Sequence, residues 1–145
     1  DARTWLVSGS KDMLVKVWDL DQQFCVQTIV CPSEVCQLAY HPRLQRVAVA
    51  TTTQRITLYR VNETQSRKGS DATVLVSIGT LNRLGKQRVV GLSFGSGLLI
   101  CHASDKTIEL WRPRAAQEIE KKLKRKQKRI REKKKKKKMA AKKSA

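Results

Sequence analysis

Apolar and polar residues alternate in short runs along most of the first 111 positions. The clearest run is Met13–Leu20, where Val15 and Val17 alternate with Lys16 and Trp18. A period of two predicts a strand with two distinct faces. Trp18-Asp19 closes it before a polar turn at Asp19–Gln23. The same pattern predicts strands at Trp5–Ser8, Leu14–Trp18 and Phe24–Val30. After Pro32-Ser33-Glu34 it predicts Val35–Tyr40, Arg46–Thr51, Arg55–Val61 and Thr73–Thr80. A third set comprises Val89–Phe94, Leu98–His102 and Thr107–Trp111, with Leu92 and Phe94 matching Leu38 and Tyr40. Ser10-Lys11-Asp12, His41-Pro42 and Gly95-Ser96-Gly97 read as turns, and Pro113 stops the pattern.

The three sets superimpose without gaps, Leu6–Leu20 on Val47–Val61 and on Leu99–Pro113. Val15 falls on Ile56 and Ile108, Val17 on Leu58 and Leu110, Trp18 on Tyr59 and Trp111, and Asp12 on Thr53 and Asp105. The first two copies lie 41 residues apart and the next two 52, the longer offset being explained by a polar loop at Asn62–Ala72. A repeat of about 40–45 residues, built from short strands and ending in Trp-Asp, marks a propeller blade.

Over Thr4–Pro113 the chain thus resembles the WD-repeat family. The Gly-His dipeptide of that family is missing, Cys31-Pro32 and Leu84-Gly85 standing in its place, and only the first copy keeps the set Asp12, Trp18 and Asp19. The expected fold is all-β: a partial WD-repeat β-propeller of about three blades over 1–113, followed by a basic helical and disordered tail over 114–145. The third set lacks an outer strand. A ring closes when one blade takes strands from both chain ends, so the chain reads as the last part of a propeller in a longer protein. The isolated piece should expose a blade face and aggregate.

Charge separates the two regions. Of the net +19, the residues from Arg112 onward carry +15 (18 Lys and Arg against 3 Glu), leaving +4 for the β region. Ala115–Glu132 has neither Gly nor Pro, and Glu118–Lys122 and Glu120–Lys124 are favourable i,i+4 pairs. Ile119, Leu123 and Ile130 form a thin apolar stripe. A helix is expected to about Arg131, fraying into Lys133–Lys138, where six consecutive lysines repel one another. Such a tail binds phosphate backbones in a salt-sensitive, sequence-independent way, serves as a nuclear-import signal, or is a solvated linker. It has no aromatic residue on which bases stack. The candidate contacts to nucleic acid or an import receptor are Lys121, Lys122, Lys124, Arg125, Lys126, Lys128, Arg129, Arg131, Lys133, Lys134, Lys135, Lys136, Lys137 and Lys138.

No motif places catalytic chemistry, and no cofactor is expected. Cys25, Cys31, Cys36 and His41 are spaced by five or six residues, unlike the close cysteine pairs of zinc sites. The three cysteines read as buried, inert thiols, and all four, Cys101 included, lack a secreted disulfide spacing, which suits an intracellular setting. His41 and His102 have no Ser/Asp companions set by spacing. Asp12 and Asp105 fall where the family has a turn-stabilising carboxylate. Trp18, Tyr59 and Trp111 are expected between blades, whereas Trp5 lies outside the repeat positions and is expected to be partly exposed. Asp1–Leu20 lacks the basic start and apolar run of a signal peptide, and no stretch reaches the ~18–20 apolar residues of a membrane helix.

Gly9–Leu20, Ile78–Arg83, Arg88–Leu92 and Ile100–Leu110, with the basic run Glu118–Lys128, look like the tandem-propeller WD-repeat proteins of the small-subunit processome (its UTP-B subcomplex). The resemblance implies a non-catalytic, nucleolar scaffold for small-subunit rRNA processing. Its implied partners are other WD-repeat processome proteins, pre-ribosomal RNA or snoRNA through the basic tail, and a nuclear import receptor. The alternative is a WD-repeat adaptor for a ubiquitin ligase or a chromatin complex, with a tail used only for import.

Overall fold

In the computed structural model, residues 4–62, 73–112, 125, 127 and 129–132 are described. The chain falls into two units, Asp1–Trp111 and Arg112–Ala145.

The described residues of the first unit hold ten strands: β1 (Trp5–Gly9), β2 (Leu14–Asp19), β3 (Phe24–Val30), β4 (Val35–His41), β5 (Arg46–Thr51), β6 (Arg55–Val61), β7 (Leu75–Asn82), β8 (Val89–Gly95), β9 (Leu98–Ala103) and β10 (Ile108–Trp111). They form three antiparallel sheets, β1-β2-β3, β4-β5-β6-β7 and β8-β9-β10. β3, β5 and β6 keep the expected bounds, and the other seven strands shift by one or two residues at one or both ends. His41 ends β4 instead of opening the turn, because it still pairs with Arg46. β7 runs from Leu75 to Asn82, two residues later at each end than Thr73–Thr80, because it pairs with β6 along the whole of Arg55–Val61.

The repeat extends to backbone irregularities. The pairing of β2 with β3 shifts register between Val17 and Trp18, and that of β6 with β7 shifts at the equivalent Leu58 and Tyr59. The pairings β4–β5 and β8–β9 both shift at the start of the first strand, at Val35/Gln37 and Val89/Gly91. A shift at the same place in successive sheets keeps their twist alike, so that they stack. Between β8 and β9 a two-residue hairpin loop uses Ser96 and Gly97, both at positive φ (48° and 74°), the geometry that matches strand twist.

The middle sheet is covered on both faces. Val35, Val47, Val49 and Tyr59 join Val15 and Val17 of the first sheet in one core. Ala48, Ala50 and Ile56 join Val89, Leu99 and Cys101 in another, against the third. The alternation of β5 thus separates two cores, and each fully buried valine or isoleucine contributes roughly 1.5–3 kcal/mol.

The faces explain why equivalent residues differ. Val15 and Val17 point towards the next sheet and are fully buried, as is Ile56. Ile108 and Leu110 occupy the same positions in the third sheet, where no described sheet follows, and are 65% and 58% exposed. Among the described residues β10 pairs only with β9. Tyr59 and Trp111 point towards the preceding sheet and pack into the two cores. Trp18 has no described sheet on that side and is only half-buried. It lies opposite Leu6, donates from Nε1 to Ser8 Oγ at 2.9 Å, and carries the Lys16 ammonium over its ring. Its expected place between two blades is therefore not seen among the described residues. Trp5, half-buried, packs on the first core.

In the second unit, Arg125, Gln127 and residues 129–132 are helical and exposed.

Candidate functional site

The turns at one end of the sheets are built by carboxylates. The Asp12 carboxylate accepts from the Leu14 amide at 3.0 Å, and Asp105 accepts from the Thr107 amide at 3.1 Å. The residue between is left-handed in both turns, Met13 at φ 67° and Lys106 at φ 67°. A short carboxylate that satisfies the amide two residues on stabilises such a turn. Asp105 also accepts from the Thr107 hydroxyl at 2.6 Å. That bond, helped by the Thr107 amide, holds its carboxyl below the ordinary value. In the middle copy Thr53 replaces the carboxylate and shares a 2.8 Å hydroxyl contact with Thr51. Asp19, fully buried, accepts from the Asp21 and Gln22 amides at 3.0 Å each and shapes the opposite turn. These aspartates bond local backbone, the geometry of structural groups.

The residues considered for metal are not gathered. Among the described residues no group of three or more His, Cys, Asp or Glu is placed to hold an ion. The cysteines also depart from a uniformly buried set. Cys31 and Cys101 are buried, but Cys25 and Cys36 are half-buried. Burial pushes the Cys31 thiol up, and pushes Cys101 up more than the neighbouring Arg83 lowers it. Both are poor nucleophiles, since the thiolate is the reactive form. His41 Nδ1 accepts from the Leu44 amide at 3.3 Å, and its ring meets Phe94 edge-on at 5.4 Å. That contact ties β4 to β8.

The sequence reading missed the most elaborate polar site. Arg83 follows β7 and is buried, with its side chain 1% exposed. Its Nε lies 3.3 Å from Glu109 Oε1 of β10, an ion pair without hydrogen-bond alignment. Arg83 Nη1 donates to the Gln87 carbonyl at 2.7 Å. The Glu109 carboxylate also accepts from the Leu84 and Gly85 amides, at 2.9 and 3.2 Å. One carboxylate thus fixes the start of the connection that leads from the second sheet into the third. Glu109 sits where Lys16 and Thr57 stand in the other copies, so no repeat pattern pointed to it.

An open groove of about 460 Å³ lies between the first two sheets, lined by Trp5, Val7, Leu38, Tyr40, Val61 and Leu75 among others. Tyr40 is the one titratable residue in its lining, and nothing there suits catalysis.

Of the candidate tail contacts, Arg125, Arg129 and Arg131 are described, all helical and exposed. Lys121, Lys122, Lys124, Lys126, Lys128 and Lys133–Lys138 lie outside the described residues, as does 63–72 of the predicted polar loop. No described helix is long and apolar enough to cross a membrane.

A model of the family "WD domain, G-beta repeat" matches residues 1–19. That match and the three stacked antiparallel sheets support the WD-repeat family. The chain is 28% identical over 133 residues to "U3 small nucleolar RNA-associated protein 12" of Saccharomyces cerevisiae, covering 87% of this chain and 14% of that protein. It is 37% identical over 59 residues to "Periodic tryptophan protein 2 homolog" of Schizosaccharomyces pombe, covering 40% of this chain and 7% of that protein. The chain therefore spans only a small part of these relatives. Among solved structures, a chain of "Crystal Structure of Mitotic Checkpoint Complex" superposes on 77% of this chain and 32% of its own length, with a TM-score of 0.59 at 20% identity. That likeness concerns the fold alone.

Proposed function

We propose that this chain belongs to a non-catalytic scaffold of ribosome biogenesis, a nucleolar protein that helps assemble the small-subunit processome. The observation that carries the reading is the abrupt change at Arg112, from sheets of modest charge to a tail of net +15. Rigid stacked sheets offer protein-binding faces, and a cationic tail suits a particle dense in RNA phosphate. The similarity to a relative named for association with U3 small nucleolar RNA supports the same reading. Its partners would be other WD-repeat proteins of that particle, pre-ribosomal RNA or snoRNA through the tail, and a nuclear import receptor.

The test compares the full-length protein with a form in which Lys133–Lys138 are replaced by glutamine. RNA affinity should fall and the log–log salt slope flatten by up to about 4–5 if all six lysines meet phosphate. An unchanged slope removes the RNA role from this segment. Co-purification with ubiquitin-ligase or chromatin subunits, without ribosomal RNA, would replace the reading with that of an adaptor.

A further inference from the structure

The connection from Arg83 to Arg88 is held rigidly from beneath and presents Leu84 outward. Leu84 is 93% exposed, more than any other large hydrophobic side chain among the described residues. The backbone of the connection is tied at both ends. Glu109 accepts from the Leu84 and Gly85 amides, Arg83 Nη1 donates to the Gln87 carbonyl, the Arg83 amide donates to Gln54, and the Arg88 carbonyl accepts from the Ser104 amide. We propose that Leu84, with Lys86 and Arg88, forms a preformed docking knob for a protein partner that offers an apolar pocket rimmed by Asp and Glu carboxylates.

Stability alone does not account for this arrangement. A buried ion pair adds little over a well-packed apolar pair, so the effect of Arg83 and Glu109 lies in the geometry they impose. A loop already ordered loses less entropy on binding, and that gain goes directly into affinity. The charge around the knob sets the partner's chemistry. Lys86 and Arg88 are exposed on the connection itself, Arg55 is exposed at the start of β6 beside the bonded Gln54, and Lys106 is exposed on the turn bonded through Ser104. The opposing carboxylates are Asp105, engaged by Thr107, and Glu109, paired with Arg83. The surplus is positive, which favours an acidic rim and speeds its encounter. The cations alone would suit phosphate, but the apex of the patch is Leu84, 93% exposed, and an apolar side chain gains from a protein pocket and not from a phosphate backbone. The inference goes beyond the scaffold reading and does not depend on the tail.

The test places a photo-crosslinking amino acid at position 84 of the full-length protein in cells and maps the adduct by mass spectrometry. The expected adduct is one protein segment whose contacted apolar residues lie beside Asp or Glu. With the crosslinker kept at 84, Lys86→Glu with Arg88→Glu should cut its yield about tenfold, the effect of ~1.4 kcal/mol. Adding 0.5 M salt to an extract before irradiation should lower the yield without any substitution. An RNA adduct, adducts scattered over many proteins, no adduct, or a yield indifferent to both charge reversal and salt would overturn the proposal. Failure here leaves the tail experiment untouched, so the two readings fail separately.

Discussion

The side-chain amide of Gln27 exchanges two hydrogen bonds with the backbone of Leu75. Gln27 Nε2 donates to the Leu75 carbonyl at 3.1 Å, and the Leu75 amide donates to Gln27 Oε1 at 2.8 Å. Gln27 lies on β3 and Leu75 opens β7, so the pair joins the outer strands of two neighbouring sheets. The side chain stands in for a strand neighbour where no ladder exists. Gln37 acts similarly between β4 and β8, donating to the Val90 carbonyl at 3.1 Å.

Gln27→Leu should be costly, because Leu75 is buried and both of its backbone groups would lose their partner. Each unsatisfied group costs about 1–3 kcal/mol. Gln27→Glu should be intermediate, since a carboxylate still accepts from the amide but repels the carbonyl. Equilibrium denaturation of the three forms gives the ranking, and equal midpoints would show that the bonds do not bear on stability.

Removing one member of the Arg83–Glu109 pair should destabilise the fold strongly, by about 3–5 kcal/mol, because the other charge is left buried and unpaired. Arg83→Met with Glu109→Gln should cost less than the sum of the two single changes, since glutamine still accepts from the Leu84 and Gly85 amides. A double-mutant cycle measures the coupling. Strict additivity would mean that the pair does not act as a unit.

Gly9 makes room for close approach of the first two sheets. A Cβ there would lie 2.6 Å from Val35 Cγ1 and 3.2 Å from Leu38 Cδ1. Gly9→Ala should therefore cost about 1–3 kcal/mol by overpacking. Gly91→Ala is the control, because its Cβ would sit at an ordinary 3.5 Å from His102 Cβ. A melting temperature lowered by Gly91→Ala as much as by Gly9→Ala would contradict this account.

The Thr107 hydroxyl holds the Asp105 carboxyl below its ordinary value. A depressed folded value means that the stabilisation is complete above the unfolded carboxylate value, about 3.9, and is lost as pH falls through the folded one. Asp105→Asn keeps an oxygen for the Thr107 amide but removes the titration, so stability should vary less with pH below about 4. Thr107→Val should raise the Asp105 value in a carbon NMR titration. A curve unmoved by Thr107→Val would show that the hydroxyl is not the cause.

What the sequence alone determined was local. Alternation within β2 and β6 needs only a two-residue period, β5 shows as a short apolar run, and such patterns placed the ten strands of the described residues to within two residues. The matching positions of Asp12 and Asp105 revealed turns whose bonds span two residues. The tail's charge was visible by counting. Stacking decided the rest. Val15, Ile56 and Ile108 are equivalent in the repeat, yet two are buried and one is exposed, because burial depends on whether another sheet lies opposite. Gln27 and Leu75 are 48 positions apart, and Leu84 and Glu109 are 25 apart. No periodicity links such residues; they meet only when one sheet packs on the next and a side chain crosses the gap.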